Sequence, residues 1–161
     1  MTVRPPATYD RTQHGVLHRV FLVVAALELA AGVVVGSLVK GEEGTSVGVI
    51  LGCSAAFFAL ISATMARMRI HDDGAALRVV LGPVELFRKR VPYASIRSVQ
   101  PYETTVLRHG VGIHMAPGGG WTWNLKKGPA VELVLEKGRL ILGTDDPAEL
   151  VAFLQAKLRR G

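Results

Sequence analysis

The sequence predicts an α+β protein in which a two-helix transmembrane hairpin is followed by a bent antiparallel β-barrel that a C-terminal α-helix caps. Three observations lead to this prediction. Two apolar runs of about 20 residues each, 20–39 and 47–66, lie in the first half of the chain. Short segments in which apolar and polar residues alternate, as in half-buried strands, fill most of the remainder. An amphipathic segment with helix start signals follows them.

The two apolar runs are long enough to cross a bilayer. About 20 residues at about 1.5 Å rise per residue match a hydrocarbon core of roughly 30 Å. The first run exceeds the apolar core of a secretory signal, about 7–15 residues, and the second follows after only residues 40–46. A soluble helical pair is disfavoured because both helices are apolar all round. We therefore expect a cytoplasmic N-terminal tail at 1–19, a transmembrane hairpin at 20–66 and one domain at 67–161.

Most of the positively charged residues that flank the apolar runs lie on one side. Arg11 and Arg19 precede the first run, Arg67 and Arg69 follow the second, and the connecting loop offers only Lys40. Because Lys and Arg beside a spanning helix tend to stay in the cytoplasm, both termini are predicted to be cytoplasmic. The expected location is the cell membrane, as a multi-pass protein.

Four glycines in the spans are candidates for intramembrane assembly. Gly32 and Gly36 have the small-xxx-small spacing that lets helix backbones approach closely, and Gly48 and Gly52 repeat it in the second span. This spacing fits packing of the hairpin onto itself, and it also fits formation of dimers.

Glu28 is a further candidate for intramembrane assembly. An acidic side chain near mid-span costs about 2.5–3.5 kcal/mol on insertion scales. We therefore expect Glu28 to be protonated, or to be paired with Ser54, with Ser62 or with another chain.

Residues 67–143 are predicted to form short strands joined by tight turns. The segment 71–74 reads as the turn of a first hairpin, Pro92 ends the third strand, and a short helical turn follows it. After the first hairpin, the strands are expected at 84–91, 97–102, 106–115, 121–125, 130–136 and 139–143.

The final segment has the start signals of a helix. Asp146 is placed to cap it, Pro147 takes the first helical position, and Glu149 completes a capping box. Leu150 and Leu154 lie on one face at helical spacing and are predicted to enter the core.

Several short motifs resemble the bacterial pleckstrin-homology-like (PH-like) domains over roughly residues 68–160. The motifs are Arg-Val-Pro-Tyr at 90–93, Gly-Val-Gly-Ile at 110–113, Ala-Val-Glu-Leu at 130–133, Lys-Gly-Arg at 137–139 and Gly-Thr-Asp-Asp-Pro at 143–147. The resemblance implies a strongly bent sheet of seven strands with a C-terminal helix. It also implies binding or assembly in place of catalysis.

The charge of the domain indicates a lipid partner. Residues 67–161 hold fifteen Lys and Arg against nine Asp and Glu, beside a bilayer whose headgroups can be anionic. Candidate headgroup contacts are Arg67 and Arg69 at the membrane exit, with Arg88 and Arg90, which share one face of a strand because alternate residues do. Nucleic acid is not an expected partner, since no basic stripe with interleaved aromatics is present.

Phosphoinositide capture, which eukaryotic relatives suggest, is not expected here. Asp72 and Asp73 occupy the first hairpin turn, where such domains carry basic residues, and two carboxylates repel a phosphate. Trp121 and Trp123 share one side of a strand. Core packing, a ligand groove and a membrane-interface position are the alternatives for these two rings.

No residue set requires catalysis, a metal or a cofactor. Cys53 is the only cysteine and lies in the second apolar run, so no thiol-based zinc site can form. Helix capping explains Asp145 and Asp146. We expect a non-enzymatic, membrane-anchored interaction module that binds protein, copies of itself as a homo-oligomer, or anionic membrane lipids. The alternative is an accessory subunit of a membrane transporter or membrane enzyme complex.

Overall fold

The computed structural model describes residues 8–83, 85–105, 110–116 and 118–159, and it confirms the α+β class. These residues form three helices, α1 His18–Leu38, α2 Glu42–Met65 and α3 Pro147–Leu158, with a 3-10 turn at Tyr93–Ser95. Their strands are β1 Asp10–His14, β2 Arg67–Asp72, β3 Ala76–Leu81, β4 Phe87–Pro92, β5 Ile96–Thr104, β6 Gly112–Met115, β7 Trp121–Asn124, β8 Gly128–Leu135 and β9 Arg139–Gly143.

The strands form two sheets. The first has the order β1-β2-β3-β4 and is antiparallel, and the second has the order β5-β8-β9-β7-β6. In the second sheet β7 pairs with β9 in parallel. The chain reverses direction from β7 to β8 and again from β8 to β9, so β7 and β9 run the same way. The prediction of a bent antiparallel β-barrel is therefore confirmed only in part: most strand pairs are antiparallel, but the strands of the described residues form two sheets and no closed barrel.

Strand β1 is an element that the sequence did not reveal. The segment 1–19 was assigned to a tail, yet β1 pairs with β2 over its whole length, from Asp10 opposite His71 to His14 opposite Arg67. The amide of Gly15 then donates to the carbonyl oxygen of Ala66 at 3.0 Å. Helices α1 and α2 are therefore an insertion between two neighbouring strands of the first sheet.

The composition of β1 explains why it was missed. Its five residues are polar, so no alternation of apolar residues marks a strand. Its attachment comes from Tyr9, whose buried ring lies 5.6 Å from that of Phe153, and from Gln13. The Gln13 amide accepts from the amide of Leu125 and donates to Asp145, which joins β1 to the second sheet.

The core of the domain lies between the two sheets and α3. Leu150, Phe153 and Leu154 are fully or almost fully buried, as the helical spacing predicts for the two leucines. Each such side chain contributes about 1.5–3 kcal/mol through burial. The strands supply the other large members: Met68, Ile70, Leu77, Val79, Leu81, Val91, Ile96, Trp123, Val131, Leu133, Leu140 and Leu142.

The start of α3 confirms the predicted cap and corrects the predicted capping box. Asp146 Oδ1 accepts a hydrogen bond from the amide of Glu149 at 3.1 Å. The carboxylate of Glu149 does not return to Asp146 but binds both guanidinium nitrogens that Arg11 presents, at 2.8 and 3.0 Å. A bidentate arginine is a stronger partner for a carboxylate than a single amide. The amide of Asp146 instead donates to Thr144.

Helices α1 and α2 differ from the rest of the molecule in what they expose. Both are long and apolar enough to span a membrane. In the most apolar 18-residue stretch of each helix, only 11% of the residues in α1 and 17% of those in α2 are buried. They lie side by side, with Phe21 early in α1 stacked on Phe58 late in α2 at 6.2 Å. Large apolar side chains such as Leu27 and Ile50 point outward.

Candidate functional site

Arginines of three strands share the outer face of the first sheet. Arg78 lies directly opposite Arg90, and Val80 lies between Arg69 and Arg88. Directly opposed residues and alternate residues of one strand share a face, and Leu77, Val79 and Leu81 occupy the other face, in the core. We call the exposed set the basic face; its members are Arg67, Arg69, Arg78, Arg88 and Arg90.

Arg78 is the member of the basic face that sequence reasoning missed. The four other arginines were predicted as headgroup contacts, and the register places them on one surface. Arg78 belongs with them because β3 lies between β2 and β4, which only the strand order reveals.

Nearby carboxylates partly neutralise the basic face. Asp10 binds Arg69 through two hydrogen bonds, which hold the pKa of Asp10 below its usual range. Asp73 lies 3.0 Å from Arg78 and 3.5 Å from Arg90. These pairs are exposed and contribute about 0–1 kcal/mol each, so a phosphate can replace the carboxylate.

Two arginines of the basic face keep their charge unpaired. Among the residues that the structure describes, no ion pair joins Arg67 or Arg88 to a carboxylate. A groove of about 380 Å³ lies on the basic face along β4, and its lining includes Glu85, Arg88 and Lys89. Among the described residues the surface is therefore positive overall, with five arginines against Asp10, Asp73 and Glu85.

A second groove, of about 420 Å³, lies on the other side of β4. It is lined by Leu86, Phe87, Arg88, Lys89, Ile113, Trp121 and Trp123, and we call it the apolar groove. Leu86, Phe87 and Trp121 are 52%, 51% and 47% exposed, whereas Trp123 is buried against the core. The two tryptophans thus line one groove, but only Trp121 presents its ring to solvent.

Both grooves lie near the end of the domain where α2 finishes. A Cβ atom added at Gly82, the first residue of the β3–β4 turn, would lie 2.9 Å from the Cα atom of Thr64. Gly82 also donates its amide to the carbonyl oxygen of Arg67 at 2.7 Å. A Cβ atom at Gly112 would lie 2.9 Å from the terminal methyl of Met65. The absence of side chains at these glycines lets the domain pack directly against the last turn of α2.

The glycines of the two helices have different surroundings. A Cβ atom at Gly32 would lie 3.3 Å from the carbonyl oxygen of Gly48, and one at Gly48 would lie 3.7 Å from the Cα atom of Gly36. These three glycines therefore pack α1 onto α2. A Cβ atom at Gly52 would meet nothing within 4 Å, but the amide nitrogen of Gly52 would lie 3.8 Å from a Cβ atom at Gly32, so Gly52 lies at the edge of that contact.

Glu28 lies half-buried in α1, with one carboxylate oxygen, Oε2, inaccessible to solvent. This oxygen has no hydrogen-bond partner among the described residues. Ser62, one expected partner, instead donates to the backbone carbonyl of His18 at 2.7 Å and so ties the two helices together beside the domain. No hydrogen bond joins Ser54 to Glu28 within the described part of the chain.

At the opposite end of the first sheet, Asp72 is part of a buried cluster. Its side chain is 6% exposed and accepts from Tyr93 at 2.7 Å, from the amide of Gly74 at 2.9 Å and from Lys157 at 2.8 Å. Burial alone raises the pKa of Asp72, but the hydrogen bonds from Lys157 and Tyr93 outweigh it and lower that pKa. Lys157 also lies over the ring of Phe153. Asp72 therefore fastens α3 to the first hairpin.

The described residues offer no site for metal chemistry, because no three His, Cys, Asp or Glu side chains among them converge.

No protein-family model, curated protein or solved structure matches the chain. The basic face and the apolar groove, both beside the end of α2, are thus the features from which a function can be argued.

Proposed function

We propose that the chain is a membrane-anchored, non-enzymatic interaction module whose basic face contacts anionic lipid headgroups. In this proposal α1 and α2 cross the cell membrane, and both termini and the domain are cytoplasmic. The observation that carries the proposal is the position of the basic face: its strand β2 begins two residues after α2 ends. Any bilayer around the helices would therefore be next to Arg67 and Arg69, the two arginines of β2.

The pairing of β1 with β2 supports two crossings. These strands precede α1 and follow α2, and they are neighbours in one sheet. Because β1 and β2 pair, the segment before α1 and the segment after α2 must lie on the same side of the membrane. An even number of crossings gives this arrangement. The excess of Lys and Arg in the flanks over the loop favours the cytoplasmic side.

The strength expected of the lipid contact suits orientation better than capture. Each Lys or Arg near an anionic surface contributes about 1 kcal/mol, and salt screens the contact over a Debye length of about 8–10 Å. Arg67 and Arg88 are available without breaking an ion pair among the described residues. The helices would hold the protein in the membrane, and the basic face would set how the domain lies on it.

We further propose that the domain is a divergent PH-like domain. The strand positions after residue 67 and the packing of α3 onto strands β5 and β8 of the second sheet support this proposal. The additional strand β1, the parallel β7–β9 pair and the open arrangement of the sheets would be departures from that fold.

The alternative function is an accessory subunit of a membrane transporter or membrane enzyme complex, and Glu28 is the observation that favours it. A buried carboxylate oxygen without a partner in the described residues is costly inside a bilayer, so a polar group of another chain would stabilise it. Crosslinking within the membrane tests this function: Glu28→Leu should abolish a crosslinked product that Glu28→Gln retains. An equal yield from both variants would remove the argument.

Energy transfer between the domain and the bilayer tests the lipid contact. A donor dye on Ala94→Cys, in a Cys53→Ala background, would report proximity to acceptor lipids in nanodiscs. We expect Arg88→Glu with Arg90→Glu to lower the transfer in anionic nanodiscs at low salt. The matched control, Arg97→Glu with Lys137→Glu, reverses two charges elsewhere on the domain and should leave the transfer unchanged. Equal transfer for both pairs would contradict the lipid contact.

A further inference from the structure

We propose that Leu86 and Phe87, with the apolar groove beside them, insert into the interfacial layer of the bilayer next to α2. Arg88 and Lys89 then lie at the level of the lipid phosphates. This inference rests on the proposed function, because it takes α1 and α2 to be in a membrane. It adds an apolar contact to the electrostatic one, with phospholipid as the occupant of the groove.

The distribution of exposed apolar side chains is the first argument. Within the described part of the domain after residue 67, the large apolar side chains that are exposed are Leu86, Phe87, Met115, Trp121 and Val134. Four of the five lie together, since Met115 pairs directly with Trp121, and Trp121 shares the groove with Leu86 and Phe87. A clustered apolar surface marks a contact site, whereas single exposed apolar residues are ordinary.

The second argument is the level of Phe87 relative to the helices. The register places Phe87 opposite Leu81, which lies opposite Met68, the third residue after the end of α2. At about 3.3 Å per residue this is roughly 10 Å beyond the helix. The headgroup layer extends about 5–8 Å beyond the hydrocarbon core on each side, so side chains at this level can reach it.

The turn before Phe87 is held close to the helix. Gly82 packs against the backbone of Thr64, and its left-handed φ of 73° suits glycine. Ile113, in the groove, follows Gly112, which touches Met65. The groove therefore lies beside the last turn of α2, which favours lipid over a detached soluble partner.

The third argument is the chemistry of the lining. Among the described residues, the lining of the groove has two cationic and five apolar or aromatic side chains and no carboxylate. Tryptophan and phenylalanine suit the boundary between headgroups and acyl chains, where an apolar ring and a polar neighbour are both satisfied. Arg88 and Lys89 can extend their charged ends toward phosphates while their stems cover apolar surface. The lining therefore matches an anionic phospholipid.

Depth-dependent quenching in the full-length protein tests the inference. The protein is placed in nanodiscs of equal parts phosphatidylcholine and phosphatidylglycerol, some with a spin label near the top of the acyl chain. An environment-sensitive dye is attached to Phe87→Cys in a Cys53→Ala background. The matched control carries the dye at Ala94→Cys, an exposed position at the other end of the first sheet. We expect a blue shift and quenching at position 87, retained at high salt, and neither at position 94.

A dye on the natural Cys53, which lies exposed in α2, distinguishes insertion of Phe87 from anchoring of the helices in the membrane. Quenching at Cys53 without quenching at position 87 overturns the insertion and leaves the membrane anchor standing. No quenching at Cys53 overturns the anchor itself. A blue shift at position 87 that lipid labels do not quench means that protein covers the groove, which also overturns the inference. Phe87 and Ala94 are both exposed in the fold, so replacing either by cysteine leaves the core intact.

Discussion

The two ends of the first sheet satisfy their side chains in opposite ways. At the end away from the helices, Asp72 binds Tyr93 and Lys157 under the cover of α3. At the end beside α2, Phe87 is half exposed and Arg88 has no ion-pair partner among the described residues. The same strands run between both ends, so strand propensity does not explain the difference. The proposed lipid contact at the end beside the helices would account for this difference.

Removing the helices should have the largest effect on this comparison. Replacement of residues 16–65 by a two-residue Asn-Gly turn joins Gly15 to Ala66, which are already hydrogen-bonded, and favours a tight hairpin. We expect this shortened chain to stay in solution without detergent and to give the circular dichroism of a folded α+β domain. The matched control is residues 67–161 alone, which lack β1 and should unfold more readily. Equal stability of the two chains would contradict the role of β1.

Tyr9→Ala should produce the next largest effect. The buried ring packs on Phe153, and loss of a large aromatic side chain costs about 3–5 kcal/mol. Urea unfolding of the shortened chain measures this loss. Tyr9→Phe is the control: it removes only the hydrogen bond to Thr144, and should cost about 0.5–1.5 kcal/mol. A Tyr9→Ala chain as stable as the parent would show that the N-terminal segment is not part of the core.

Asp72→Asn tests the satisfied end of the sheet. Losing hydrogen bonds to a buried charge should cost about 1.5–3 kcal/mol, whereas the exposed Asp73→Asn should cost about 0–1 kcal/mol. Folding lowers the pKa of Asp72. Its contribution is therefore complete above the unfolded-state pKa of about 3.9 and is lost as the pH falls through the lower folded-state value. Urea titrations at several acidic pH values measure the free energy of unfolding of the parent and of Asp72→Asn. The two values should converge as the pH falls, and a difference that does not change with pH would exclude this role of Asp72.

Asp146→Ala should have the smallest effect of the four. It removes the acceptor for the Glu149 amide at the start of α3, at a cost of about 0.5–2 kcal/mol. Asp146→Ser supplies another capping oxygen and should stay close to the parent. The midpoints of thermal unfolding of the two variants measure the difference. Equal losses would mean that the charge, and not the cap, supports the helix.

The sequence was sufficient where its signals are local. The two apolar runs match α1 and α2 to within a few residues at each end, except that α2 begins five residues earlier. The strands after residue 67 and the cap at Asp146 were also predicted, because alternation and turn residues act over a few positions. The predicted third strand began early, since Glu85 and Leu86 precede β4, and its first residue, 84, lies outside the described residues. Residues 106–109, expected to begin a strand, lie outside the described residues.

The features that the sequence did not reveal depend on distant partners. Strand β1 has no apolar alternation and pairs with residues more than 50 positions away. The partner of Glu149 is Arg11, on that same strand, so the capping box was predicted incorrectly. Arg78 joins the basic face only through the strand order. The exposure of Phe87 likewise depends on which elements cover it, which no local pattern records.

The split between β1 and β2 has a consequence for how the protein is made. The ribosome releases β1 before either apolar helix, so this strand must wait for its neighbour until both helices have been synthesised. If only one helix were integrated, the lipid would keep the two strands apart and the sheet would lack its edge. If α1 and α2 cross the membrane as proposed, completion of the domain reports correct membrane integration, and a misinserted chain would display an unpaired sheet edge to proteases and chaperones.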